Sequence, residues 1–407
     1  MTQFVPETAE QLKDAVAWAV AEEYPLAVKG TGTKAGLGRP METEHEIDLS
    51  KLNGITLYEP DELVLRAGAG TPMADVTAAL EEQNQQLAFE PPDLGFLLKG
   101  ESAPGTLGGV IASNLSGPRR IKSGAARDHF LGFEGVSGRG EEFKSGGRVM
   151  KNVTGYDLCK LMAGSWGTLA VMSEVTVKVL PKAEKERTVL LYTDDPSTAV
   201  RAMTDALNSP YEVSGTAWLP KAQAATTGID MVTAEGTGVA AIRVEGPGPS
   251  VEYRCARLRE MAGPLGKTEE LHSHRGKSFW VAVRDVMPFA QAGDRRVVWK
   301  ISVAPSEGPT VCRQLLSLKG AEAFMDWGGG LIWLAVDMPN LGGADIVRDT
   351  VAQSGGHATL IRGDLDLRAK ADVFHPLAPG LATLTRKIKN GFDPHGVLNP
   401  GRMYNGI

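Results

Sequence analysis

Two glycine-rich segments hold the residues of this chain that are best suited to binding an anionic ligand. The first follows Lys29 and reads Gly-Thr-Gly-Thr-Lys-Ala-Gly-Leu-Gly over residues 30–38. The second, residues 101–128, interleaves five glycines with small, hydroxyl and apolar side chains. Glycine lets the backbone approach a ligand closely, and successive free N–H groups can form an anion-binding concavity. Each segment is therefore either a ligand cradle or a structural turn.

The second segment also carries a cluster of cations, which consists of Arg119, Arg120, Lys122 and Arg127. Such a cluster is most simply a solvated or ion-paired face. Its position inside a glycine-rich segment also allows a contact with a phosphate or with the acidic surface of a partner. The sequence leaves these interpretations open.

The familiar nucleotide-binding and nucleophile motifs do not fit. Gly30-x-Gly32-x-x-x-Gly36 is spaced one residue too long for the dinucleotide fingerprint, and the Walker A pattern is absent. The segment around Ser165, Ala-Gly-Ser-Trp-Gly, lacks the first glycine of a nucleophile elbow. A tight turn after a helix is the favoured interpretation of that segment.

Histidine and cysteine spacing indicates neither a metal site nor a disulfide framework. Only His272 and His274 form a close histidine pair, and no zinc-type ligand set accompanies them. The cysteines, at positions 159, 255 and 312, lie far apart in the sequence. We therefore expect no metal ion, disulfide or iron–sulfur cluster in this chain.

Composition narrows the class of protein. At 407 residues with 42% hydrophobic content, the chain is long enough for two or three domains with real cores. A net charge of −6 does not give the basic footprint of a nucleic-acid-binding protein. No apolar run reaches the ~18 residues that a membrane-spanning helix needs, and no signal peptide is expected. These features predict a cytoplasmic protein.

The first 181 residues are predicted to alternate short strands and helices around the two glycine-rich segments. Apolar spacing predicts a helix over residues 7–23 with Thr8 as its cap. A second helix is expected over residues 71–83, with Thr71 as its cap. Hairpin strands are predicted around the turn at residues 137–140, and a half-buried strand runs up to Pro181.

A different pattern follows the charged run at residues 182–187, which we interpret as a domain boundary. Strands alternate with helices and lack glycine-rich loops at their ends, which indicates an α+β, ferredoxin-like sheet. The predicted strands cover residues 188–192, 239–244, 297–303 and 331–336, and the predicted helices cover 197–208, 249–261 and 309–318.

The motifs together resemble the FAD-binding domain of the vanillyl-alcohol oxidase/PCMH family. VKGTGTKAGLG is similar to that family's pyrophosphate loop, and PGTLGGVIASNLSG to its long flavin loop. EPPDLG, SGPRRIKSGAARDHFLG, GSWGTLAVMSEVTVKVLP and DPHGVLNPGRMY resemble the FAD-binding subunits of glycolate oxidases. The resemblance implies a PCMH-type, two-subdomain FAD-binding domain over residues 1–183 and a smaller ferredoxin-like α+β cap over 184–370. Residues 371–407 would form a C-terminal segment that packs back on the FAD domain.

The resemblance also implies a cofactor and the residues that hold it. FAD would be bound without a covalent link, because neither glycine-rich segment contains a histidine or a cysteine at residues 29–38 or 101–128. The implied FAD-binding residues are Lys29, Gly30, Thr31, Gly32, Thr33, Lys34, Gly105, Thr106, Gly108, Gly109, Ser113, Arg127, Asp128, Gly167, Leu169 and Val171.

Family members of this kind work in complexes, which implies partners and an activity. The partners would be a GlcD-like flavoprotein subunit and a GlcF-like iron–sulfur subunit. The complex would oxidise the 2-hydroxy acid glycolate to glyoxylate. This interpretation leaves open a peripheral association of the complex with the inner face of the plasma membrane.

One departure from catalytic relatives limits the expected role of the chain. Related 2-hydroxyacid dehydrogenases carry an H-x-G-D-G-N motif and a later E-H-G in the cap, whereas this chain offers only Gly355-Gly-His357-Ala. Such a reaction needs a base near the hydroxyl and a cation for the carboxylate, and the sequence does not place both. We therefore expect substrate oxidation mainly in the sister subunit. A self-sufficient dehydrogenase and a scaffold that has lost its flavin remain the alternatives.

Overall fold

The first part of the chain forms a three-stranded sheet, a five-stranded sheet and a short two-stranded antiparallel sheet, with helices packed around them. This computed structural model describes residues 2–147, 155–338 and 341–407. The strands are β1 (Thr2–Phe4), β2 (Leu26–Lys29), β3 (His45–Asp48), β4 (Ile55–Glu59), β5 (Val64–Gly68), β6 (Gln85–Gln86), β7 (Phe130–Ser137), β8 (Glu142–Gly146), β9 (Ala170–Lys178) and β10 (Leu180–Pro181). The helices are α1 (Ala9–Ala21), α2 (Met73–Glu82), α3 (Gly95–Lys99), α4 (Leu107–Ser113), α5 (Arg120–Ser123), α6 (Ala126–His129) and α7 (Leu158–Met162).

The three-stranded and five-stranded sheets differ in strand direction. β1, β3 and β2 pair in parallel, whereas the five-stranded sheet β4-β5-β9-β7-β8 is antiparallel throughout. The predicted hairpin is confirmed as β7 and β8. The strand predicted before Pro181 is β9, but it is buried along most of its length rather than half-buried. Helices α1, α2 and α4 bury their apolar faces on these sheets and share one hydrophobic core with them.

Local capping explains where the first two helices begin. Thr8 caps α1 as predicted, since its side chain accepts a hydrogen bond from Gln11 N at 3.2 Å. The prediction that Thr71 caps α2 is wrong, because the helix starts one residue later and Pro72 holds the cap position. The Thr71 hydroxyl instead donates to the Gly68 carbonyl at 2.7 Å and so fixes the turn that enters the helix.

The second part of the chain builds one eight-stranded antiparallel sheet, with strand order β14-β11-β13-β12-β16-β17-β15-β18. Its strands are β11 (Lys185–Tyr192), β12 (Val213–Leu219), β13 (Val239–Gly246), β14 (Thr268–His272), β15 (Val297–Ser302), β16 (Glu322–Asp326), β17 (Leu331–Val336) and β18 (His357–Arg362). Its helices are α8 (Pro196–Leu207), α9 (Lys221–Ala225), α10 (Asp230–Thr233), α11 (Gly248–Ala262), α12 (Ser273–Arg284), α13 (Gly308–Leu316), α14 (Ala344–Ala352) and α15 (Leu365–Lys370).

The sequence predicted β11, β13, β15 and β17 but not the strands between them. All seven residues of β12 are buried, so the strand lacks the alternation of apolar and polar residues that marks a half-exposed strand. β16 is likewise buried along most of its length. β17 is buried as completely but was predicted, because its residues form one continuous apolar run. The edge strands β14 and β18, which are partly exposed, were missed as well.

The two faces of this sheet have different neighbours. One face packs on α8, α13 and α14 through side chains such as Trp299, Ile301 and Leu334. The other face, which includes Trp333 and Ile361, shares a hydrophobic cluster with Leu97 and Leu115 of the first part. The glycine-rich segments therefore lie against the eight-stranded sheet.

The C-terminal segment returns to the first sheet. Helix α16 (Pro379–Phe392) begins this segment's return. After it, Leu26 N donates to Val397 O at 2.7 Å and Asn399 N donates to Leu26 O at 3.0 Å. The buried Lys389 ammonium donates to Thr168 O, Asp393 and Leu398 O, which fixes the turn before this pairing. The boundaries at residues 183 and 370 stay a prediction.

Across residues 2–147, 155–338 and 341–407, no helix combines the length and apolar character required to cross a membrane.

Candidate functional site

The first glycine-rich segment is an open loop that follows β2. Only two of its early turns are closed by backbone hydrogen bonds, from Ala35 N to Gly32 O and from Leu37 N to Lys34 O. Within the described residues, the N–H groups of Thr31, Gly32 and Thr33 have no hydrogen-bond acceptor. Gly32 has a φ of +68°, a conformation that glycine adopts without strain. The loop therefore presents unused donors of the kind that bind an anion.

The second segment is largely helical rather than an extended loop. It forms α4, α5 and α6, and Thr106 caps α4 through the Gly109 N–H at 3.3 Å. A Cβ atom on Gly30 would lie 2.8 Å from Thr106 Oγ1, and one on Gly105 would lie 2.5 Å from Thr33 Oγ1. Only glycine at these positions lets the two segments approach each other so closely.

Two adjoining cavities lie between the segments. The larger, of about 240 Å³, is lined by the loop after β2, by the start of α4 and by the C-terminal segment. The smaller, of about 80 Å³, continues it towards β9. Most of the residues predicted to hold FAD line one or both cavities. They are Lys29, Gly30, Thr31, Gly32, Thr33, Lys34, Thr106, Gly108, Gly109, Ser113, Gly167 and Val171.

Four residues of the predicted set do not line these cavities. Gly105 lies directly behind Thr33 and the Lys34 ammonium, so it supports the wall rather than forming it. Leu169 is buried in the core of the first part. Arg127 and Asp128 are exposed on α6, where the Asp128 carboxylate accepts a hydrogen bond from Ala125 N at 2.8 Å.

Several lining residues were not predicted from the sequence, among them Trp166, Asn399 and Arg402. The Asn399 side chain accepts from Val28 N at 2.7 Å and donates to Trp166 O at 2.7 Å, so it joins the C-terminal segment to both walls. Arg402 donates to Lys34 O at 2.7 Å. Trp166 and Asn399 line both cavities. Their stretches of sequence resembled the family, but nothing in their local pattern indicated that they meet.

The charge around the larger cavity is predominantly positive. Lys34 donates to Pro104 O at 3.2 Å, and burial lowers the pKa of its ammonium to about 8, an effect that Asp93 opposes. Burial, together with Arg368, lowers the pKa of Arg402 to about 10. Lys29 is paired with Glu46 at 2.7 Å. Lys34 and Arg402 therefore remain charged at neutral pH without a carboxylate within ion-pairing distance among the described residues.

This arrangement fits a pyrophosphate that carries a flat ring system. Unused N–H donors and two half-buried cations can stabilise the phosphate charge. The close glycine packing leaves room for a ligand between the segments, and Trp166 supplies an aromatic wall. The residues present therefore fit FAD.

The cation cluster of the second segment divides into separate roles. Arg119 is 9% exposed and forms a bidentate ion pair with Glu245, with N–O distances of 2.8 and 2.6 Å. It also contacts Glu90 at 2.9 Å, and Glu90 is held in turn by Arg243 at 3.0 and 2.8 Å. For Arg119 the interpretations as a solvated face or a phosphate contact are therefore wrong. Its ion pairs join the first part of the chain to the eight-stranded sheet.

This ion-pair network is buried and unequal in charge. Burial alone would raise the pKa of Glu245, but Arg243 and Arg119 lower it to about 2. Glu186 completes the group at 3.7 Å from Arg119, and burial raises the pKa of this carboxyl. Three carboxylates thus face two guanidinium groups beside a cavity of about 640 Å³ between the two parts.

Other candidate chemistry from the sequence has no supporting geometry. Ser165 is buried in a turn, and its carbonyl accepts a hydrogen bond from the Thr168 hydroxyl at 2.7 Å. No group of three histidine, cysteine or acidic side chains within the described ranges is placed to hold a metal ion. The three cysteines are free and buried.

Comparison with known proteins agrees with this geometry. Residues 3–146 match the model of the FAD binding domain family. The chain is 35% identical over 97% of its length, and 97% of the relative's, to the glycolate oxidase subunit GlcE of Escherichia coli. It is 29% identical over 50% of its length to the glycolate oxidase subunit GlcD of Bacillus subtilis, and covers 42% of that protein.

The solved structure of p-cresol methylhydroxylase with substrate bound has the same fold. It superposes with a TM-score of 0.72 over 98% of this chain and 88% of its own, at 16% identity. The predicted PCMH-type fold and the predicted FAD cofactor are confirmed. Because the identity to GlcE extends over nearly the whole of both chains, this protein belongs to the GlcE family of FAD-dependent oxidoreductase subunits.

Proposed function

We propose that this chain is the FAD-binding subunit of a glycolate oxidase complex that oxidises glycolate to glyoxylate. The observation that carries the proposal is the cavity between the two glycine-rich segments, in a chain that matches GlcE almost from end to end. Bound FAD supplies a two-electron acceptor for the hydrogen on the carbon that bears the hydroxyl.

The residues of this chain would hold and orient the cofactor. The N–H groups of Thr31 to Thr33, with Lys34 and Arg402, would stabilise the pyrophosphate charge. Gly109 and Gly30 would allow the ligand to lie against the backbone. Trp166, fixed through its carbonyl by Asn399, would exclude water from one side of the cavity.

A sister flavoprotein of the GlcD type would carry most of the substrate oxidation. The chain lacks the histidine- and acid-rich cap motif of catalytic 2-hydroxyacid dehydrogenases, which supports this division. An iron–sulfur subunit of the GlcF type would then accept electrons, because this chain has no iron–sulfur ligand spacing of its own. The complex would work in the cytoplasm.

The absorption spectrum of the purified chain, alone and with its sister subunits, tests this proposal. We expect bound flavin in the chain alone, and full anaerobic bleaching by glycolate only in the complex. Complete bleaching of the isolated chain would instead support a self-sufficient dehydrogenase. A colourless chain that still assembles with its partners would identify a scaffold and overturn the cofactor role.

A further inference from the structure

Two cations lie over one indole ring on the sheet face that looks towards the FAD-binding part. The Arg120 guanidinium carbon is 4.3 Å from the centre of the Trp327 ring, and the Lys300 ammonium is 5.2 Å from it. Trp327 is fixed in place, because its indole N–H donates to Gly117 O at 3.1 Å. The ring is therefore a fixed platform that both positive charges contact.

These cations have no counter-ion within ion-pairing distance. Among the described residues, neither Arg120 nor Lys300 takes part in an ion pair or a side-chain hydrogen bond. Residues 148–154 and 339–340 contain no aspartate or glutamate, so they can supply none. Asp326 is the acidic group whose charge acts on Lys300, and burial raises the pKa of Asp326 to about 7. At neutral pH it is only partly ionised, so positive charge predominates.

The neighbouring histidine feels the same excess of charge. His357 on β18 lies diagonal to Lys300 on the adjacent strand β15, where its direct partner is Ser302. Burial lowers the pKa of His357, and His375, Lys300 and Arg120 lower it further. The imidazole is therefore neutral at neutral pH and adds no further positive charge to the site.

The location connects this pair of cations to the cofactor cavity. Trp327 belongs to the apolar cluster against which Trp166 packs, and Trp166 lines both cavities between the glycine-rich segments. Arg120 is exposed and Lys300 is half-buried, so Arg120 is the more accessible of the two cations. The ring under the cations and the wall of the cofactor cavity thus belong to one apolar contact region between the first part and the eight-stranded sheet.

We propose that Arg120 and Lys300 bind the carboxylate of a small 2-hydroxy acid within this subunit. The inference rests on the proposed function, and it supplies the carboxylate-binding cation that the sequence did not reveal. A carboxylate suits this position because two donors on one rigid ring can each take one of its oxygens. A subunit of this kind does more than store flavin, because it receives the acid beside the cofactor.

Titration of the flavin-loaded chain with oxalate, followed by calorimetry, tests the inference. Oxalate carries carboxylates but no hydrogen on a hydroxyl-bearing carbon, so binding is measured without turnover. We expect Lys300→Met and Arg120→Gln each to weaken oxalate binding roughly ten-fold or more. Flavin content should stay at the wild-type level in both. Lys300→Arg should restore most of the affinity.

Matched controls separate a specific site from a general loss of charge. Lys319→Met and Arg201→Gln change exposed cations elsewhere and should leave oxalate affinity unaltered. Lys300→Met should also keep or raise resistance to urea, because it removes an unpaired half-buried charge. A structural role for Lys300 would instead lower that resistance.

Several outcomes would overturn the inference. A flavin-loaded wild-type chain that does not bind oxalate, or variants that bind it as well as wild type, would remove the carboxylate site and leave the proposed function standing. Loss of flavin in Lys300→Met would reassign the cations to the cofactor. Equal affinity for sulfate would reduce the site to a general anion contact. A wild-type chain without flavin would overturn the proposed function and this inference with it.

Discussion

Gly109 and Gly108 are neighbours on α4, yet a side chain is expected to weaken FAD binding at Gly109 and to lower the stability of the fold at Gly108. Gly109 lines both cavities, and its backbone does not adopt a positive φ. A Cβ atom there would lie 3.3 Å from Thr106 Oγ1 and 3.7 Å from the Lys34 ammonium. The change Gly109→Val therefore places its methyl groups in the space that we assign to FAD.

The expected cost falls on binding rather than on folding. Filling a space that a ligand must occupy costs about 1–3 kcal/mol, which corresponds to a roughly 5- to 150-fold increase in the FAD dissociation constant. Folding changes little, because replacing glycine within a helix returns up to about 1 kcal/mol of backbone entropy. That gain offsets the small adjustment that Thr106 must make.

Gly108 supplies the matched control. A Cβ atom on Gly108 would lie 2.7 Å from the Ala69 carbonyl oxygen and 2.8 Å from the Ala69 Cβ. Backbone and core atoms cannot move aside easily, so Gly108→Ala should cost about 1–3 kcal/mol in the free energy of unfolding. This loss should appear in the flavin-free chain as well.

Two measurements on the deflavinated chains separate these effects. Quenching of flavin fluorescence gives the FAD dissociation constant, and urea denaturation gives the free energy of unfolding. We expect Gly109→Val to lose affinity at nearly constant stability, and Gly108→Ala to lose stability first. If Gly109→Val binds FAD as tightly as wild type, the space beside α4 is not the cofactor site and the reasoning fails.

Three further predictions concern the interface, the C-terminal segment and the carboxylate site. Glu90→Gln removes the carboxylate that accepts two hydrogen bonds from Arg243, while Glu245 remains 3.7 Å from Arg243, so it should lower the free energy of unfolding by about 1–3 kcal/mol in urea denaturation. An unchanged free energy of unfolding would contradict the network's role. Asn399→Ala strands two backbone groups and should cost about 1–3 kcal/mol with faster FAD release, and unchanged release would exclude it from the site. The ammonium of Lys300, which faces Arg120, Asp326 and His357, has a pKa lowered to about 8 by burial. Protonated Lys300 attracts a carboxylate and neutral Lys300 does not, so the oxalate affinity measured by calorimetry should fall as the pH rises through about 8. Lys300→Arg should abolish that fall, and an identical pH profile in this variant would contradict the assignment.

Features encoded by contiguous sequence were predicted well. The glycine and hydroxyl pattern of residues 30–38 and 101–128 identified both walls of the cavity, because close backbone approach needs particular residues at particular positions. The cap of α1 and the β7–β8 hairpin were predicted for the same reason. Local physical chemistry is sufficient where the partner lies a few residues away.

Features that depend on distant pairing were missed. Arg119 meets Glu245 across 126 residues of chain, so its charge alone could not show whether it faced solvent, phosphate or a buried acid. Asn399 reaches Val28 across 371 residues. The role that we propose for Lys300 depends on its contact with the ring of Trp327, which the sequence does not show. In each case the fold, and not the local pattern, brings the groups together.

The flavin stoichiometry of the purified wild-type chain, expressed without any other subunit, tests the central claim most directly. Absorption of the protein and of the flavin released from it on denaturation gives this ratio. The structure predicts close to one FAD per chain, retained through gel filtration. A folded chain that emerges without flavin and does not take it up from solution would contradict the claim that the two glycine-rich segments form an FAD site.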